Sequence, residues 1–470
     1  MKQSALQKAA ALALGLCLLG GSVLGCTPVS QQLPAPTQTA FGNGQAVTLL
    51  ALQDAQPLIA PEYGEKEQSA QAAAKGANGF AFRFTRALLE KTGEADNLIC
   101  SPYSVWLPLA ALLNATDEAY RPALLEALGA AGITPEQMNQ AASRMLYGLT
   151  NQREKDWMAE EQASAKDDPA YDDSWFYQVH DPLQIANAVF VDQDKALNQS
   201  FAQAFRDYYR GEAMNVDFDD PAAVDAVNQW ASQHTQGLIE HIVQKFPPET
   251  LAAIANAIYF SDRWDWEFDA SETQTGIFHS PGGEQQAHFM LREGDNLTYY
   301  EDDLLQAMPL RFQTGGGLMI LLPKDGDARA LLQSMTEGYF QEIRQDAIYA
   351  TGTLKLPRFT IESDAMDLMD ALSALGVPLF DPETLPLTGL IQGESAYLAQ
   401  AVQKAMIRVD EKGTTAAAVT VMAAAGAAMP QPTEPFSMIC DRPFAFVLYG
   451  NTYDGGDQVL FCGVVNQVAE

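Results

Sequence analysis

Catalytic chemistry shows itself in a chain as paired side chains at fixed spacing, and such pairs are scarce here. Five histidines, His180, His234, His241, His279 and His288, never form an H-E-x-x-H pair, and no Cys-x-x-Cys occurs. A zinc centre therefore lacks a ligand set. Gly393-Glu394-Ser395-Ala396-Tyr397 starts like a nucleophile elbow but lacks its second glycine. No phosphate-cradling glycine loop and no G-x-G-x-x-G motif is present. The carboxylates are scattered, as on a solvated acidic face. The chain does not read as an enzyme, and it calls for no metal and no cofactor. One stretch is unusual in another way. From Asp410 to Met429 the sequence is DEKGTTAAAVTVMAAAGAAM, with no charge between Lys412 and Glu434 and no proline before Pro430. Its alanines suit a helix, and an uncharged run invites comparison with a membrane span, although it is short and poor in large apolar residues. Alternation supplies a third reading. Thr414, Ala416, Ala418, Thr420, Met422 and Ala424 share one face of a strand, and all but Met422 are small. Nothing in the segment forbids it from becoming a central strand. Its chemistry would then be conformational.

The rest of the chain must position that segment. It has 470 residues, of which 47% are hydrophobic, enough for a large core. A net charge of −32 argues against nucleic acid as a partner and gives a soluble, self-repelling exterior. Lys2 and Lys8 precede an apolar run, Ala9 to Leu24, and then Gly25-Cys26. Residues 1–25 read as a signal peptide. A small residue followed by cysteine resembles a bacterial lipoprotein lipobox, which would place a lipid on Cys26 and the protein at the cell surface; ordinary secretion is the alternative. Residues 26–75 read as a tether, with Val47 to Leu52 docking on the domain, and residues 76–470 as the domain. Cys100, Cys440 and Cys462 lie among strand-like neighbours and are expected as buried free thiols.

Periodicity places helices from Gly79 to Gly93, Val105 to Ala115, Arg121 to Leu128, Gln199 to Tyr209, Ala222 to His234 and Met366 to Leu375. Asn97 to Ser104, Leu183 to Asp192, Leu251 to Phe260, Phe278 to Met290, Ala307 to Leu322, Gly352 to Glu362, Phe444 to Tyr449 and Val459 to Val465 read as strands or hairpins. Trp264, Trp266 and Phe268 mark a turn packed on the sheet. Residues 154–180 read as an acidic, aromatic surface insertion. Helices dominate the first half and strands the second, which is α+β.

KAMIRVDEKGTTAAAVTVM (404–422) closely resembles the hinge and reactive-centre loop of serpins, and other segments match in the family's order. They include NLICSPYSV (97–105), IANAVFV (185–191), NAIYFSDRWDWEF (256–268), LKLPRFTIES (354–363) and DRPFAFVLYGN (441–451). The resemblance covers the chain from about residue 76 onward. It implies an α+β fold of three β-sheets, about nine helices and an exposed loop at about 411–435. It further implies a hinge at Glu411, Gly413, Thr414, Thr415, Ala416, Ala417 and Ala418. Trp264 and Lys404 would lie in the breach where the loop enters the large sheet. Ser101, Ser104 and Asn256 would form the shutter beneath the opening strands, with Gln403 where most members have histidine. Gln retains hydrogen-bonding capacity. Thr415, where an acid is common, would point away from the sheet interior.

The resemblance also implies a monomeric serine protease inhibitor that traps its target by loop cleavage and insertion. Family counting from Glu411 puts the scissile bond at Ala427–Ala428, with Met429 an alternative. No Lys or Arg lies between Gly413 and Thr433, so elastase-like or subtilisin-like serine proteases are the expected targets, and cysteine proteases a less favoured class. A non-inhibitory member acting as a surface binding or chaperone-like protein, or as a plain protease substrate, is the alternative reading.

Overall fold

The computed structural model describes residues 47–50, 52–61, 67–166, 179–235, 237, 239–414, 435–453 and 456–468. A six-stranded sheet is ordered β1 (Val47–Leu49), β4 (Gly211–Val216), β3 (Leu183–Asp192), β5 (Ala252–Phe260), β16 (Gln400–Lys404), β13 (Met366–Asp367). Directly above it lies a four-stranded sheet, β12 (Phe359–Glu362), β17 (Met406–Val409), β18 (Gly413–Thr414), β6 (Asp262–Arg263). The two are linked by the chain itself, since β5 runs into β6 across Ser261 and β16 into β17 across Ala405.

The longest sheet is ordered β19 (Phe436–Ile439), β11 (Ile348–Pro357), β8 (Gly283–Glu301), β9 (Leu305–Arg311), β10 (Gly317–Pro323), β20 (Phe444–Asn451), β21 (Asp457–Val465), β2 (Leu98–Cys100), with β7 (Gln274–Ser280) also on β8. A small hairpin pairs β14 (Leu387–Ile391) with β15 (Glu394–Ala396). The helices are α1 (Gln68–Leu89), α2 (Pro102–Ala111), α3 (Arg121–Ala127), α4 (Pro135–Leu149), α5 (Gln152–Ala165), α6 (Gln199–Tyr209), α7 (Ala222–His234), α8 (Ala328–Ser334), α9 (Glu337–Asp346) and α10 (Met369–Ala374).

Two cores follow from this layering. The main one packs α1, α2 and α4 against one face of the central strands and against the long sheet. Every residue of α2 is buried, as an all-round apolar helix requires. The second core fills the opposite face of β3 and β5, where Phe190, Ala255 and Ala257 meet Val227 and Trp230 of α7. Alternation along β5 thus sends even-numbered residues such as Ile254 and Ile258 to the main core and odd-numbered ones to α7.

Several boundaries differ from the sequence reading. The first helix starts at Gln68, capped by the Glu67 carboxylate on the Ser69 and Ala70 amides. Its first two turns are alanine-rich, so an apolar stripe of small residues had read as tether. β1 pairs antiparallel with β4, the docking expected at Val47 to Leu52, and residues 52–61 extend it beyond the expected stretch: Gln56 N–H donates to Asp207 and Ile59 N–H to Ser143. Pro102 opens α2 at its first position instead of merely breaking a strand. Met366–Asp367 is strand, with the helix beginning at Met369. The 352–362 run divides between two sheets as β11 and β12. Trp264 and Phe268 are packed inside, but Trp266 is 58% exposed.

Candidate functional site: the hinge and the seam below it

Two pairings in the six-stranded sheet are parallel, β3 with β4 and β5 with β16, and the second lies directly below β18. β16 lies parallel to β5, paired from Gln400↔Ala253 to Lys404↔Ala257. At the upper end the same two chain segments are separated by β18, which is antiparallel to both β17 and β6. Val409 and Asp262 flank Thr414 there, and Gln403 and Asn256, six residues lower on each strand, face one another directly. The register is thus the same above and below, with no net bulge. A strand continuing downward from Thr414 would meet both walls in step.

The upper wedge is built by close packing. A Cβ on Gly413 would stand 2.1 Å from the Asp262 carbonyl oxygen, so only glycine allows this approach. Thr414 is fully buried; its hydroxyl accepts from Asp262 N–H at 3.3 Å. The Asp262 carboxylate is itself buried, which pushes its pKa up, while the Thr314 hydroxyl and the Thr314 and Arg263 amides act in the opposite sense. The turn before β18 is gripped by Trp264. Its indole N–H donates to Asp410 O and its backbone N–H to Lys412 O, each at 2.9 Å. The Trp264 ring stacks on Phe312 with centroids 4.9 Å apart. Glu411 accepts from Arg358 Nε at 2.8 Å and from the Thr273 hydroxyl at 2.6 Å. Burial alone would raise the Glu411 pKa; those two donors outweigh it and hold the carboxyl below its usual range. Lys404 pairs with Glu362 at 2.7 Å at the upper end of the parallel seam.

Beneath the seam lies a polar cluster inside the main core. Gln403 is fully buried. Its carbonyl oxygen accepts from Ser101 N–H at 2.9 Å, and its amide donates to Ser101 O at 2.7 Å and to Ser104 Oγ at 2.8 Å. Ser101 Oγ reaches Leu460 O of β21 at 2.7 Å. Across the seam, Asn256 Nδ2 donates to Asn187 Oδ1 at 2.6 Å, and no donor among the described residues reaches the buried Asn256 Oδ1.

The structure therefore gathers Trp264, Glu411, Gly413 and Thr414 at the wedge and Ser101, Ser104, Asn256 and Gln403 below it, with Lys404 between. Thr415, Ala416, Ala417, Ala418, Ala427, Ala428, Met429 and Cys26 lie outside the described residues. Four contributors escaped the sequence reading: Asp262, Arg358, Thr273 and Asn187. Asn187 had a signal, an amide in the middle of an apolar strand. The chain leaves the wedge at Thr414 and re-enters at Phe436, whose ring stacks on Tyr299 at 3.9 Å and fills the space that a side chain on Gly352 would need. The segment between is thus anchored at both ends, in two different sheets.

Comparison with known proteins gives one consistent result. Residues 75–468 match the family described as Serpin (serine protease inhibitor). A serpin-like protein of Thermococcus kodakarensis is 32% identical over 272 residues, 57% of this chain and 63% of that relative. Antichymotrypsin-2 of Bombyx mori is 31% identical over 278 residues, 57% of this chain and 73% of its own length. Among solved structures, the native state of the thermophilic serpin tengpin superposes with a TM-score of 0.69 at 21% identity, covering 88% of this chain and 97% of that one. That likeness is one of fold.

Proposed function

The chain belongs to the serpin family, and we propose that it is a serine protease inhibitor acting as a suicide substrate. The observation that carries this reading is the hinge: Gly413 and Thr414 already occupy the top of a slot whose walls continue downward in register. In this reading a target serine protease attacks the Ala427 carbonyl, the amine of Ala428 leaves, and the acyl-enzyme is carried along as the freed strand descends. Descent replaces one parallel ladder by two antiparallel ones, adding backbone hydrogen bonds worth about 1 kcal/mol net each. Extending the observed register puts Ala416, Ala418, Thr420, Met422 and Ala424 on the main-core face, and Ala424 opposite Ala252 at the foot of β5. A cut at Ala427–Ala428 leaves enough chain to fill the whole slot, and Met429 serves equally. The small, uncharged residues meet the requirement that nothing charged be buried on the way.

Alanine before the scissile bond fits the small apolar pocket of elastase-like or subtilisin-like proteases and gives a trypsin-like pocket nothing to pair with. The leader and Cys26 further suggest a monomer displayed outside the cell on a lipid anchor. The test is to mix the chain with an elastase-like protease and run denaturing electrophoresis. A stable band at the summed mass is expected, with mass spectrometry placing the cut. Complete cleavage without such a band sinks the inhibitory reading and leaves a binding protein or substrate.

A further inference from the structure

Cys100, Cys440 and Cys462 are buried and unbonded to one another, but two of them are not independent. Cys100 on β2 lies directly opposite Cys462 on β21 in an antiparallel ladder. Directly opposed residues project from the same face with Cα atoms about 4.5 to 5.5 Å apart, inside the range of about 4.4 to 6.8 Å that a disulfide spans. Thr85 Oγ1 of α1 lies 3.5 Å from Cys100 Sγ. Cys100 Sγ is in turn 3.7 Å from the Cys462 carbonyl oxygen. Cys440 stands apart, at the end of β19 in the long sheet. Nothing in the hinge chemistry uses a thiol, and no metal-holding cluster exists among the described residues.

We propose that Cys100 and Cys462 are a disulfide-forming pair, closed during folding by an oxidant of the thiol–disulfide exchange class. One cysteine, as thiolate, attacks a sulfur of the oxidant's disulfide; a mixed disulfide forms and the first oxidant thiolate leaves. The second cysteine, as thiolate, attacks the protein sulfur of that mixed disulfide. The Cys100–Cys462 bond forms and the second oxidant thiolate leaves. Two protein thiols are oxidised, one oxidant disulfide is reduced, and the two protons end on the oxidant's thiols. Timing follows from burial, which pushes the Cys100 thiol up to about 12 and Cys462 well above its ordinary value. Neither supplies thiolate once β2 has docked on β21, so exchange belongs to the unfolded or partly folded chain. The closed bond would tie the base of Ser101, whose backbone Gln403 holds from the other side, to β21. Export through the leader would supply an oxidising compartment, but the pairing itself does not depend on the inhibitory reading.

The experiment is to produce the full chain twice, in a reducing cytoplasm and in a cytoplasm carrying a thiol oxidase and a disulfide isomerase. Each preparation is denatured, alkylated and mapped. The oxidised preparation should yield a joined Cys100–Cys462 peptide about 2 Da lighter than the two free peptides, an alkylated Cys440, and a melting midpoint higher by about 3 to 6 °C. The Cys440→Ser chain should behave identically, and the Cys100→Ser/Cys462→Ser chain should melt alike in both settings. Equal alkylation of Cys100 and Cys462 in both wild-type preparations overturns the proposal. So does a bond from either of them to Cys440.

Discussion

The register of the slot makes a quantitative prediction about Thr420. Continued from Gly413↔Arg263 and Thr414↔Asp262, the descending strand brings Thr420 into the row of Asn256 and Gln403. Even-numbered positions face the main core, so the Thr420 hydroxyl arrives beside Asn256 Oδ1, the buried acceptor that lacks a described donor before insertion. Thr420→Val keeps the side-chain shape and removes the hydroxyl. In the proposed reading the hydroxyl reaches Asn256 only on insertion, so the intact protein should melt as before. The cleaved form should lose one enclosed hydrogen bond, about 1 to 2 kcal/mol, which is about 1 to 2 °C in its melting midpoint. If about half of that is felt while the strand descends, insertion slows about two- to fivefold, and more protease escapes per trapped complex. The assay is calorimetry on intact and cleaved protein together with titration of protease against inhibitor. A cleaved form of Thr420→Val with an unchanged midpoint would falsify the register, because a strand shifted by one residue turns Thr420 toward α7.

Other outcomes follow from the same geometry. Ala416→Glu should leave the intact protein's melting unchanged but abolish the covalent complex on denaturing gels, because insertion would bury an unpaired carboxylate at a cost of several kcal/mol. Gly413→Ala should expel the wedge, since its Cβ collides with the Asp262 carbonyl; amide exchange at Trp264 and Phe268, which donate to Lys412 and Glu411, should accelerate. Gln403→Leu orphans the Ser101 amide and should lower the intact protein's stability by about 2 to 3 kcal/mol in urea titration. Glu411 has a folded pKa below its ordinary value, so its stabilising contribution is complete above the unfolded pKa and lost as pH falls through the folded one. Arg358→Met should therefore flatten the acid side of a stability profile below the ordinary Glu pKa of about 4.3, and an unchanged profile would count against the Glu411 latch.

Why the seam was hard to read from the chain, although the wedge was not, has a physical answer. Gly413 is legible because a tight approach demands glycine, and the uncharged run after it is a feature the sequence displays on its own. Strands such as Leu183–Asp192 and Ala252–Phe260 are legible for the same local reason, as apolar runs. Pairing is different. Nothing within LAAIANAIYF or LAQAVQK states that β5 and β16 will run parallel, or that Gln403 will stand opposite Asn256, because those facts arise between segments about 150 residues apart. Asp262 and Arg358 are silent for a related reason: each is an ordinary surface residue type until the fold brings up a distant partner, Thr414 beside the buried Asp262 and Glu411 beside the half-exposed Arg358. Gln403 shows how local and distant constraints meet. Its amide satisfies Ser101 and Ser104 as the structure stands, which stabilises the closed seam; opening must keep those bonds or replace them. The donor–acceptor count favours keeping them, since all three bonds of Gln403 point into the main core and none crosses the seam to Asn256. In the proposed mechanism the slot would open along its backbone ladder with the polar floor intact, and the five parallel pairs of β5 with β16 are what the entering strand would have to break.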